Sequence, residues 1–149
     1  QVIMLAKSMG GCKLHHAISG EKGGGRGGLE NLEIPLFIGV DMSCQVKRHF
    51  EDPNDILEFK SNIKELWNFY QISDDTTQTG HRAHFEGKGF DDSIHINVNV
   101  ESFDVENNRK IAKPEKPLCK DAVHINVDEC VPLLETIQKL VLKKMGKIK

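Results

Sequence analysis

The sequence predicts an α+β two-layer sandwich, with a mostly antiparallel sheet of about four strands and two amphipathic helices on one face. Three observations predict it. Ile94-His95-Ile96-Asn97-Val98 and Val123-His124-Ile125-Asn126-Val127 are near-duplicates with a strict apolar/polar alternation, the period of a half-buried strand. Apolar residues recur at three- and four-residue steps in two other stretches, around 56–70 and 133–145. Turn residues separate these segments throughout.

The totals fit one such domain. At 149 residues the chain can bury a single core, and 38% hydrophobic with 28% charged residues excludes general disorder. No apolar run approaches the roughly 18 residues of a spanning helix, so no membrane is expected. A net charge of −2 argues against wholesale nucleic-acid binding. Cys12, Cys44, Cys119 and Cys130 form no C-x-x-C pair, and reduced thiols in an intracellular protein are expected of them. The chain opens on Gln1, as a processed or partial chain would, and residues 2–6 are too short for a signal core.

In order, residues 2–6 suit a short strand, and residues 1–31 together read as a flexible Gly-rich arm preceding a single domain at 32–149. Gly20, Gly23, Gly24, Gly25, Gly27 and Gly28 crowd into nine residues, an entropic load that favours a mobile loop. A phosphate-binding loop needs Lys-Ser/Thr after its last glycine and a helix behind it; Leu29-Glu30-Asn31 follows instead. Lys22 and Arg26 leave a weak RNA or phosphate contact as the alternative use of this arm.

Leu36-Phe37-Ile38-Gly39-Val40 is the best central strand, with Asp41 at its end as a turn or cap residue. Asp52-Pro53 starts a helix whose apolar stripe runs Ile56, Phe59, Ile63, Leu66, Trp67 and Tyr70. Residues 81–86 and 93–104 read as strands joined by a Gly/Asp turn suited to a hairpin. Pro114 and Pro117 make 105–120 an extended, lysine-bearing connection. Residues 121–128 form the last strand. The final helix starts between Asp128 and Pro132, buries Leu133, Leu134, Ile137, Leu140, Val141 and Met145, and ends at Gly146.

If the duplicated strands are neighbours, His95, Asn97, Asn99, His124, Asn126 and Asp128 share one polar face. Two imidazoles on adjacent strands can act as a general acid/base pair. With Asp128 they could instead hold a divalent ion, although no complete metal motif is present and no cofactor is predicted. The pair distantly resembles the two-histidine phosphoesterases, which carry one His-x-Ser/Thr on each of two strands. It departs from them in having Asn for the hydroxyl residue and only 29 residues between motifs, too few for a full internal repeat. Gly80-His81-Arg82-Ala83-His84-Phe85, between a helix and further strands, is faintly similar to double-stranded-RNA-binding domains; acidic Asp128-Glu129 stands where their basic run would be. Cys130, near a helix start, is a minor candidate for a reactive thiolate.

These features add up to a non-catalytic binding or assembly module. It would act through its sheet face (Asn97, Asn99, Asn126, Asp128) or its arm (Lys22, Arg26), with a protein partner or larger complex. The alternative is a small phosphoesterase-like hydrolase using His95 and His124.

Overall fold

The computed structural model describes residues 2–19, 29, 31–42, 56–59, 61–71, 82–85, 91, 94–100, 105–107, 110–112, 118–119 and 126–149. Its elements are β1 (Ile3–Lys7), α1 (Ser8–Ser19), β2 (Leu36–Val40), β3 (Ile56–Phe59), β4 (Leu66–Tyr70), β5 (Arg82–Phe85), β6 (His95–Asn99), β7 (Val105–Asn107) and β8 (Lys110–Ala112). A 3-10 turn (Val127–Glu129) and α2 (Val131–Lys144) follow.

The sheet is mainly parallel, which corrects the antiparallel expectation. β1, β2, β4 and β6 lie side by side in chain order and all run the same way. β7 and β8 extend that sheet antiparallel beyond β6, and β3 pairs with β5 in a separate parallel pair. Residues 81–86 and 93–104 therefore do not make a hairpin: β5 and β6 belong to different sheets.

The helix expected over 56–70 does not form. Its six apolar positions are divided between β3, the bridge residue Ile63 (paired with Ile34) and β4. Trp67, Phe69 and Tyr70 favour a strand, and β4 is held by β2 on one side and β6 on the other. Two flanking ladders outweigh a helical periodicity that no tertiary contact supports. The pair of helices expected on one sheet face is thus also corrected: α2 is present, and the helix before it in the chain is α1. Residues 3–7, at the head of the stretch read as an arm, are the first strand of the sheet. Residues 20–28 and 52–55 lie outside the described residues.

The register carries a period. Phe37 pairs with Leu66 and Leu66 with His95; Gly39 pairs with Asn68 and Asn68 with Asn97. The steps from β2 to β4 and from β4 to β6 are both 29 residues, whereas the step from β1 to β2, Ile3 to Leu36, is 33. The second His-Ile-Asn-Val stretch, one more such step along, does not extend this series: Asn126 is in an exposed turn and residues 121–125 lie outside the described residues.

Both faces of the sheet are covered. Leu36, Ile38, Val40, Phe69, Ile96 and Val98 pack with Leu133 and Ile137 of α2. Ala6, Phe37, Met42 and Leu66 pack on the other face with Ile18 of α1, Ile34 and Ile63. All five residues of β2 and of β6 are buried, the signature of a strand inside a parallel sheet. Lys144 reaches Glu65 Oε2 at 2.9 Å, and Trp67 Nε1 donates to Glu65 Oε1 at 3.0 Å, tying the end of α2 to the start of β4. A Cys119–Cys130 disulfide closes the start of α2, which corrects the reduced-thiol expectation and the reactive-thiol reading of Cys130. Cys119 N–H donates to the Val100 carbonyl at the end of β6. Leu134 and Met145, read as buried from their periodicity, are exposed. Among the described residues no helix is long and apolar enough to cross a membrane.

Candidate functional site

The polar positions of β4 and β6 fall on the sheet face away from α2, because Trp67, Phe69, Ile96 and Val98 alternate with them toward α2. That inner row comprises Asn68 and Tyr70 on β4 with His95, Asn97 and Asn99 on β6. As the face opposite the helices it was expected to be wet or covered by a partner. It is buried: His95, Asn97 and Asn99 keep 3%, 4% and 5% of their accessible surface. Ile18 of α1, Ile34 and Ile63 cover this face of the sheet, so alternation here marks two interior environments rather than core and water.

Within this row Asn68 Nδ2 donates to Asn97 Oδ1 at 3.0 Å, along the same rung on which their Cα atoms pair. Gly39 occupies the next position of the rung. A Cβ there would stand 2.9 Å from Asn68 Oδ1 and 2.5 Å from Met42 Cε, so the glycine makes room for the amides. At the carboxyl end of the strands Gln71 Nε2 donates to Asp41 Oδ2 at 3.3 Å, both residues being fully buried. Asp41 (φ 42°) directly follows β2 and Ser8 (φ 53°) directly follows β1, at equivalent places in the register. Asn62 sits in the crossover before β4, its Nδ2 within 3.3 Å of the Leu29 and Leu32 carbonyls.

The His95 ring is enclosed by backbone. Nδ1 lies 3.0 Å from both the main-chain nitrogen and the carbonyl oxygen of Asp91, and Nε2 lies 3.4 Å from the Ile63 carbonyl. The Asp91 carbonyl in turn accepts the His95 main-chain N–H at 3.0 Å. The imidazole thereby joins the start of β6 to the segment before it and to the crossover before β4.

The other expected members of the face are elsewhere. Asn126 and Asp128 are exposed, in and beside the 3-10 turn, and Asp128 pairs with Lys7 of β1. His124, Lys22 and Arg26 lie outside the described residues. Of the six residues assigned to one face, the structure therefore groups three in the interior and puts two on the surface. Asn68, Gln71 and Asn62 were missed by sequence reasoning. The signal for Asn68 was present, because Gly39, Asn68, Asn97 and Asn126 follow one another at 29-residue steps.

Chemically the row is a ladder of amides and one imidazole serving adjacent strands. Among the described residues no group of three or more His, Cys, Asp or Glu side chains comes together in a way that could hold a metal ion. No family model matches the chain, and no significant match joins it to a curated protein or a solved structure.

Proposed function

We propose that the chain is a non-catalytic binding or assembly module whose partner is another protein. The observation that supports this most is the enclosure of His95. Its two ring nitrogens face the backbone of residues 91 and 63 in a buried site, where a general base would have to reach a substrate. Asn97, its neighbour in the row, is committed to Asn68. With both sheet faces covered, the outer side of α2 offers a partner its surface. The Gly-rich stretch with Lys22 and Arg26 serves as a second contact in this reading.

The test is a turnover assay on activated phosphomonoester and phosphodiester substrates, using the wild type, His95→Gln and His124→Gln. The expected result is no hydrolysis above buffer for any of the three, with a lowered thermal midpoint for His95→Gln. Wild-type turnover that disappears in either variant while the midpoint stays put would establish a histidine-dependent hydrolase and overturn the proposal.

A further inference from the structure

We propose that the Cys119–Cys130 bridge is a thiol-sensitive latch on the start of α2, opened by a small monothiol of the glutathione class. The proposal goes beyond the binding-module reading and does not depend on it.

The bridge sits where a helix lacks its cap. Cys130 is the N-cap of α2, and it makes no side-chain hydrogen bond to the first turn. The first main-chain N–H groups of a helix have no acceptor within the helix, and they carry its positive end. A disulfide sulfur is uncharged and a poor acceptor for them. A thiolate at the same position is a charged acceptor, and helix N-termini are places where cysteine thiolates are stabilised. Pro132 has no N–H to offer, so Val131 and Leu133 are the donors of that first turn. Opening the bridge gives α2 the cap that the closed bridge withholds, which favours the reduced form. Joined to Cys119, Cys130 has no thiolate; it acquires one only on reduction.

The two sulfurs differ in access. Cys119 keeps 5% of its accessible surface, whereas Cys130 is half-buried. That difference orders the exchange. The thiolate of a first RSH attacks Cys130 Sγ, the S–S bond breaks, and Cys119 leaves as a thiolate that takes up a proton. A second thiolate attacks the external sulfur of the mixed disulfide, so RSSR departs and Cys130 is released as a thiolate at the helix end. The bridge and two RSH become the Cys119 thiol, the Cys130 thiolate, RSSR and one proton, with the two electrons coming from the monothiol.

What the latch holds is local. Leu133 and Ile137 fix α2 in the core, the Lys7–Asp128 ion pair holds the turn before it, and Lys144–Glu65 holds its end. The Cys119 main-chain N–H is bonded to the Val100 carbonyl just after β6. Reduction thus frees the first turn of α2 from the segment at the end of β6 and leaves the helix docked on the sheet.

The test uses the whole chain in native buffer at graded ratios of reduced to oxidised glutathione, with acid quenching, alkylation and mapping of the peptides that carry residues 119 and 130. The bridge should open and reclose reversibly without denaturant. On reduction, hydrogen exchange in the first turn of α2 should quicken at least about tenfold, while β2, β4 and β6 keep their protection. In Cys119→Ser, which leaves Cys130 without its bridge partner, alkylation of Cys130 should show a pH midpoint at least about one pH unit below that of glutathione. A bridge that survives millimolar glutathione until the protein unfolds would be purely structural and would overturn the proposal. So would unchanged exchange in the first turn after reduction, or an alkylation midpoint at Cys130 equal to that of glutathione. The turnover assay on His95 and His124 is unaffected by any of these outcomes.

Discussion

Asn68 and Asn97 stand side by side on parallel strands, 29 residues apart in the chain, and the amide of the first donates to the carbonyl of the second at 3.0 Å. A buried amide bonded to its equivalent on the next strand holds register, because slipping one strand by a residue would move its amide to the apolar face and leave the other without its partner. Asn97→Ala removes the acceptor from a buried donor and should lower stability by about 1–3 kcal/mol. Urea denaturation should show a lower midpoint with an unchanged slope; an unmoved midpoint would mean that the rung contributes nothing.

Gly39 and Gly10 should respond oppositely to alanine. At Gly39 the new methyl meets Asn68 Oδ1 and the end of the Met42 side chain. Met42 can swing aside, but Asn68 is held by Asn97, so a loss of about 1–3 kcal/mol is expected. At Gly10, in α1, an added Cβ meets nothing within 4 Å. Gly10→Ala should stabilise by up to about 1 kcal/mol through helix propensity. Thermal midpoints of the two variants, read against the wild type, check both signs.

Leu133 and Leu134 are adjacent in sequence and opposite in role. Leu133 is fully buried against the sheet, so Leu133→Ala should cost about 2–5 kcal/mol. Leu134 is exposed, and Leu134→Ala should change the stability of dilute protein by no more than about 0.5 kcal/mol. Equal losses in chemical denaturation would mean that α2 is rotated from the orientation described.

The Cys119–Cys130 disulfide closes a short loop leading into α2, and Cys119 N–H is bonded to the Val100 carbonyl just after β6. Replacing both cysteines by serine should lower stability by roughly 2–3 kcal/mol, the usual value for a loop of this length. Peptide mapping without reductant should recover residues 119 and 130 in one linked fragment, and recovering them as separate peptides would exclude the bridge.

Local rules were sufficient for some of this protein. The strand at 36–40 was legible as an uninterrupted apolar run, and the final helix as a three-and-four spacing closed by Gly146. The alternation of His95, Ile96, Asn97 and Val98 was legible too, as were the two faces it implies. What those faces meet was not. A period of two separates one side of a strand from the other and carries no information on which side is water. Only the closing of the chain around a parallel sheet put His95 and Asn97 indoors.

Residues 56–70 show the same limit for the other period. Their apolar spacing satisfies a helix, yet Leu66 and Trp67 are claimed by neighbours from residues 37–38 and 95–96, contacts that no local window contains. By itself, then, the sequence determined which stretches are apolar and where α2 stops. Tertiary structure alone decided that the strands run parallel, that the polar row faces inward, and that one side of α2 is left uncovered. The physical reason is that hydrogen-bonding partners and burial are properties of pairs of segments. Periodicity belongs to one segment at a time.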